Sequence, residues 1–362
     1  MLEIHKQTLE NKFLSWKKQD FISLRSPVFK NPDNENLELL EPMNYFKRNL
    51  IKSSILPALV ILLLSCSREG ENGSKPFFSV RIVHSGIYCD SFNWNPIPTE
   101  SIMVPEPDEI SGIAPSLAND GQYWLHEDKG NIPRLMLYDT LGVCKANYFL
   151  QGFEITDLED VSLAVIEEDT LIFLGDVGDN NKSREYVKII SLSDKKTQSN
   201  ASVTVSGINN YMIKYPADDA GIPIKEDCEA FCFDPLFSDF YFFSKNSFKT
   251  QVYRLSLPLT ANGFNMLQSV GEIALPNQMV TAANISFDGK FLMLKTYENI
   301  YFWERSDKEP IETLLTLEPV RLPYIKENHG EAACFSVQKN LYLTVSEKTD
   351  ESAIKMNIYH RK

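Results

Sequence analysis

The chain lacks the local signatures of the common catalytic families. It has no G-x-S-x-G nucleophile elbow and neither a Walker-type nor a dinucleotide-binding glycine loop, so no nucleotide or organic cofactor is indicated. Its five histidines are scattered, and no Cys/His spacing resembles a zinc motif. Six cysteines, at positions 66, 89, 144, 228, 232 and 334, are too few and too dispersed for a disulfide framework. Positive charge is in deficit, with 36 Lys and Arg against 49 Asp and Glu. Nine of those basic and seven of those acidic residues precede Cys66, so the balance from Cys66 onward is −15. Such a surface disfavours nucleic acid and suits multivalent cations or basic ligands. No apolar run approaches the roughly 20 residues of a membrane-spanning helix, and no long helical period is present.

What is present begins with "LPALVILLLSCSREG" at 56–70. Lys47, Arg48 and Lys52 supply positive charge, Ile55 to Leu64 is almost wholly apolar, and Leu63-Leu64-Ser65-Cys66 ends the run. A positive flank, a short apolar core and a small-residue cleavage site form the layout of a secretory signal peptide. The segment resembles the lipobox of bacterial lipoproteins, which implies that Cys66 becomes the lipidated first residue. Met43 opens a normal signal start, so residues 1–42 read as an upstream extension and 43–65 as the signal peptide. Residues 66–76 are polar and Gly/Ser-containing, as a flexible tether is. The folded domain is expected over 77–362, attached to the membrane through the anchor and facing the periplasm or the cell exterior. With 43% hydrophobic and 11% aromatic residues, it has material for a core.

Past residue 76, short aromatic and β-branched runs are broken by Gly, Asp, Asn and Pro, which is strand chemistry. Three kinds of strand recur in one order. The first follows an acidic lead-in: "DEISGIA", "DLEDVSLAV", "DCEAFCF", "AANISF" and "GEAACFSV". The second is aromatic and ends in a polar turn: "YWLHEDKGN", "IFLGDVGDNN", "YFFSKNSF", "FLMLKTYEN" and "LYLTVSEKTD". The third is short: "LMLYD", "VKIISL", "QVYRLSL", "IYFWER" and "MNIYHR". Counted from Glu109, Glu159, Glu229, Ala283 and Glu331, the steps are 50, 70, 54 and 48 residues, and the long one holds an extra stretch, "SVTVSGINNYMIKYPADDAGIP". Units of about 50 residues with three to four strands predict an all-β, single β-propeller. Five units are legible. Six blades are expected, with residues 77–105 contributing the sixth and five blades as the runner-up; "FFSVRIVHSG" or "SIMV" would close the ring. An all-β sandwich is the wider alternative.

In a propeller the lead-ins to the first strands and the turns after the second strands meet on one face. That face is expected to carry Asp108, Glu109, Asp157, Glu159, Asp227, Glu229 and Glu331 from the lead-ins. From the turns it would carry Glu127, Asp128, Asp176, Asp179, Asn180, Lys245, Lys295 and Glu347. Oxygen ligands of this type suit Ca²⁺ or Mg²⁺, and Asp157, Glu159, Asp176, Asp179, Asn180 and Glu229 are the metal-ligand candidates. Crowded carboxylates raise one another's pKa, which Arg184, Lys245 and Lys295 would relieve. Asp, Asn and Gly also serve tight turns without any ligand, so both readings stand. His126 and His329 could meet on the same face, with a surface or supporting role expected ahead of a catalytic one. Alternation puts Cys228 and Cys232 on one face of a strand, as small buried residues.

The motifs "EISGIA", "DLEDV", "GDVGDNNKSR", "DCEA", "TAANISFDGKFLMLKTY" and "HGEAACF" together resemble a group of secreted bacterial β-propeller proteins, few with an assigned activity. They are distantly similar to β-propeller phytases and esterase-like phytases, over roughly residues 105–350. That resemblance implies the fold. β-Propeller phytases use Ca²⁺ and a basic phosphate-binding cleft; no matching pattern of Lys and Arg is found, so no catalytic residue carries over. Three functions follow as expectations. The first is a monomeric, lipid-anchored binding module for a small ligand or an envelope protein. The second is a Ca²⁺-dependent hydrolase of phosphoesters or other esters. The third is a structural envelope scaffold.

Overall fold

The computed structural model describes residues 77–83, 88–128, 133–348 and 353–362. The expected extension, signal peptide, lipidation site at Cys66 and tether all lie outside the described residues.

The first two strands, β1 (Phe78–Arg81) and β2 (Thr99–Ile102), serve sheets completed much later in the chain. Blade one is formed by β3 (Ile110–Pro115), β4 (Gln122–Glu127), β5 (Arg134–Asp139) and β6 (Cys144–Phe149). Blade two takes β7 (Leu158–Ile166), β8 (Asp169–Asp176) and β9 (Val187–Ser193). The chain then returns to add β10 (Ala201–Thr204) in parallel to β6, and completes blade two with β11 (Asn209–Lys214). Blade three is β12 (Cys228–Asp234), β13 (Asp239–Ser244), β14 (Lys249–Ser256) and β16 (Gln268–Ala274); β15 (Phe264–Met266) pairs back onto β11. Blade four is β17 (Val280–Ile285), β18 (Phe291–Thr296), β19 (Ile300–Glu304) and β20 (Val320–Leu322). A single helical turn, α1 (Ile311–Leu314), lies between its last two strands. Blade five is β21 (Gly330–Phe335), β22 (Leu341–Ser346) and β23 (Lys355–His360).

The blades number five, not six. The N-terminal strands are only four residues each and form no sheet of their own. The "SIMV" segment supplies β2, which pairs antiparallel with β23 and closes the ring. The "FFSVRIVHSG" segment supplies β1, a fifth strand parallel to β16 at the edge of blade three.

Five apolar clusters match five blade interfaces. Phe231, Phe240 and Phe242 of blade three meet Phe173 and Ile189 of blade two. Tyr241 and Phe243, on the opposite face of β13, meet Leu292 and Leu294 of blade four. Leu343 and Val345 of blade five close against Ile113 and Leu125 of blade one. Each fully buried Phe or Leu of this kind contributes roughly 1.5–3 kcal/mol, and no blade can bury both faces alone.

Each innermost strand carries one irregularity, always at its start. The register with strand two slips between Ile110 and Gly112, Leu158 and Asp160, Cys228 and Ala230, Val280 and Ala282, and Gly330 and Ala332. These are β-bulges, which add a residue and re-aim its side chain. The bulge also reverses side-chain parity. Cys228 therefore packs with blade two and Cys232 with blade four, rather than on one face. Both are buried free thiols.

The inner edges of these strands would leave backbone N–H groups unpaired in the channel. Asp160 accepts three of them, from Val161 (2.8 Å), Phe231 (3.1 Å) and Ala283 (3.2 Å), linking blades two, three and four. The Ser162 hydroxyl accepts the N–H of Phe233, and the Asn284 side-chain oxygen that of Phe335. Burial pushes the Asp160 carboxyl well above its ordinary range, against the pull of those N–H groups.

Candidate functional site: an acidic channel mouth

The bulges set the register of the mouth. The five bulged residues are Ser111, Glu159, Glu229, Thr281 and Glu331, and all are buried. Two residues earlier, the lead-in positions are Glu109, Asp157, Asp227, Met279 and His329. Backbone N–H groups that follow strand two donate to four of these lead-in carbonyls: Asp128 to Glu109, Gly178 to Asp157, Lys245 to Asp227, and Glu347 to His329. The structural repeat steps are thus 48, 70, 52 and 50 residues from Ser111. Glu109 belongs with Asp157 and Asp227, and it lies exposed at the rim rather than in the buried ring. Thr281, not Ala283, is the blade-four member.

The mouth is divided electrostatically. On the side of blades three to five a lysine stands among the acids. The Lys245 ammonium lies 2.8 Å from Glu229 and 3.8 Å from Glu331. Glu331 also accepts hydrogen bonds from the Tyr297 hydroxyl (2.5 Å) and the Ser111 hydroxyl (3.4 Å). Burial works against the charge on Lys245, but Glu229 and Glu331 outweigh it and its pKa is raised. Burial pushes Glu229 up to about 7, although Lys245 pulls the other way. Burial, with Glu331 adjacent, pushes Glu347 up to about 8.

On the side of blades one and two the acids face one another. Carboxylate oxygens of Asp128, Asp157 and Glu159 lie within 4.8 Å of one another. Glu159 is only 4% exposed, and no described residue gives it a hydrogen bond or an ion pair. Burial and the charges of Glu229, Asp128, Asp157 and Glu331 all push its pKa well above the ordinary value. The Asn180 amide donates to Asp157 at 3.3 Å. Gly178 makes the space: a Cβ there would stand 2.1 Å from Glu159 Oε1 and 2.7 Å from Asp157 Oδ2.

The remaining polar residues have other partners. Asp176 is fully buried, 3.0 Å from Arg184 Nη1 and 2.9 Å from Lys188 Nζ, and accepts the Asp157 N–H. Arg184 also donates to the Gly178 carbonyl. Asp179 accepts the N–H groups of Ser183 and Arg184, while its own N–H donates to Asp227. These contacts shape the "GDVGDNN" turn around the acids. Glu127 is held by two hydrogen bonds from Arg134 and accepts the Asp108 N–H. Lys295 is wholly buried and donates to the Gly330 carbonyl, with its pKa lowered by burial to about 8. His126 lies buried against Gly112, and burial lowers its pKa to about 4. His329 is instead at the surface, 3.5 Å from Glu347, and no contact joins the two histidines.

Ser111, Thr281 and Tyr297 carry no formal charge, so an acidic pattern does not reveal them. The legible signal is a polar residue followed by a small or acidic one: Ser-Gly, Glu-Asp, Glu-Ala, Thr-Ala, Glu-Ala. No protein-family model matches this chain, and a search of curated proteins finds no match.

Proposed function

We propose that this propeller is a binding module whose channel mouth holds a divalent cation, with Ca²⁺ the expected ion, as part of its ligand site. One observation carries the reading: Glu159 is only 4% exposed, none of the described residues gives it a hydrogen bond or an ion pair, and it faces two further acids. Oxygens bound to one Ca²⁺ at about 2.4 Å lie at most about 4.8 Å apart, which the spacing of Asp128, Asp157 and Glu159 satisfies. A cation there would replace like-charge repulsion with coordination. Glu229 is less suited, since Lys245 already occupies it. Asp176 and Asp179 support the turn instead of supplying ligands. The sequence around Cys66 further supports a lipid-anchored placement in the bacterial envelope, which mass spectrometry of the mature N-terminal peptide tests.

The test of the mouth is thermal melting of the purified protein in EDTA and across a Ca²⁺ titration, with Mg²⁺ alongside. An ion bound only by the folded state stabilises it by about 2.7 kcal/mol at a hundredfold excess over Kd. A saturable, Ca²⁺-selective rise in melting temperature is expected. An unchanged melt would reassign these acids to turn and blade-joining roles.

A further inference from the structure

The repeat is broken most strongly between blades two and three, where the step is 70 residues. Its extra stretch, "SVTVSGINNYMIKYPADDAGIP", does more than add β10 and β11. Together with Met266 of β15 it borders a cleft of about 510 Å³. The wall is formed by Tyr215, Ala217, Pro223, Ile224 and Met266. Large apolar side chains are unusually exposed beside it: Tyr186 by 40%, Ile222 by 61%, Phe264 by 43% and Met266 by 55%. The rings of Tyr186 and Phe264 lie 5.8 Å apart. Lys214 lines the same cleft, with its ammonium 3.9 Å from the centroid of Phe264. It makes no ion pair with a described residue, although the chain as a whole is strongly acidic. Lys225 adds a second ammonium, which donates to the Ser183 carbonyl.

We infer that this cleft is a second ligand site, independent of the cation site, and that it takes an amphiphilic carboxylate of the fatty-acid type. An apolar wall with a few polar groups at its edge is the usual build of a small-molecule site. The wall would cover the aliphatic body. The Lys214 ammonium would receive the carboxylate in a charge-assisted hydrogen bond, strengthened where the wall excludes water. Glu185, exposed at the rim, favours a single negative charge over a phosphate.

Calorimetric titration of the full chain with decanoate, below its micelle concentration, tests this. Decanol has the same tail without the charge. Saturable one-to-one binding of decanoate is expected, with decanol much weaker. Lys214→Gln should weaken decanoate by about tenfold, the scale of one hydrogen bond to a charged group. Ala217→Trp, at an exposed position, should fill the cleft and abolish binding. Glu159→Gln should leave decanoate binding unchanged, so failure of the cation reading is separable from failure of this one. Melting curves of both cleft variants check that they fold. No saturable heat overturns the inference. So does decanol binding as tightly as decanoate, or Lys214→Gln binding like the parent, since the cleft would then select no anion.

Discussion

Replacing Glu159 by glutamine keeps the side-chain volume and removes the charge that has no partner. An unfolded Glu titrates near 4.5, whereas the folded mouth pushes this group well above that value. A carboxyl whose folded pKa is raised carries no folding penalty below about pH 4.5. Above it, the penalty grows by about 1.4 kcal/mol per pH unit until the folded pKa is passed. The ceiling is therefore about 3 kcal/mol at pH 6.5 and about 4 kcal/mol at pH 7.5. Glutamine has no such cost. In EDTA, Glu159→Gln should be more stable than the parent at pH 7.5, by an amount that shrinks toward zero at pH 5. Each kcal/mol moves the melting temperature by about 2–4 °C in a domain somewhat smaller than this one, so the shift is readily measured. With Ca²⁺ the order should reverse, because the parent gains the ion and the variant loses one of its ligands. A variant that is less stable than the parent in EDTA at every pH would refute the reasoning. It would mean that Glu159 is neutralised by a partner in the folded protein.

Two further substitutions separate the site from its frame. Gly178→Ala places a methyl group 2.1 Å from Glu159 Oε1, so it should abolish the Ca²⁺-dependent rise in melting temperature while leaving the far-ultraviolet spectrum unchanged; a retained rise would exclude Asp157 and Glu159 as ligands. Asp160→Ala removes the acceptor shared by the N–H groups of Val161, Phe231 and Ala283. Each buried, unsatisfied N–H costs about 1–3 kcal/mol, so urea unfolding should show a loss of several kcal/mol, whereas Asp160→Asn, which retains an acceptor oxygen, should recover much of it.

The blade order is legible because its signal is local. Every second strand is a short aromatic run, and four of the five first strands follow a polar lead-in residue, so the five repeats can be read without partners. Blade count is not local. Only pairing across the whole chain shows that Phe78–Arg81 belongs to blade three and Thr99–Ile102 to blade five. Strands of four residues contain too little pattern to announce their neighbours. The register of the acidic ring is hidden for a related reason. A bulge inserts one residue without changing composition, so counting acids aligns Glu109 with Glu159, whereas the backbone aligns Ser111 with it. The same inserted residue sends Cys228 and Cys232 to different cores.

The repeat also explains why the functional reading rests on its departures. Five equivalent bulges present five side chains to one mouth, and a uniform ring of glutamates would repel itself. Ser111 and Thr281 remove two charges, and Lys245 with Tyr297 engages two more, Glu229 and Glu331. That leaves Glu159, where the second ring position is Gly178 instead of a lysine or a tyrosine. A side chain at that position could have supplied the missing partner. Glycine supplies none and clears the space in front of two carboxylates. Stability alone would favour a cation fixed in the chain at this position, as at Lys245. On the proposed reading, Glu159, the ring glutamate with no fixed cation or hydroxyl beside it among the described residues, takes its cation from solution.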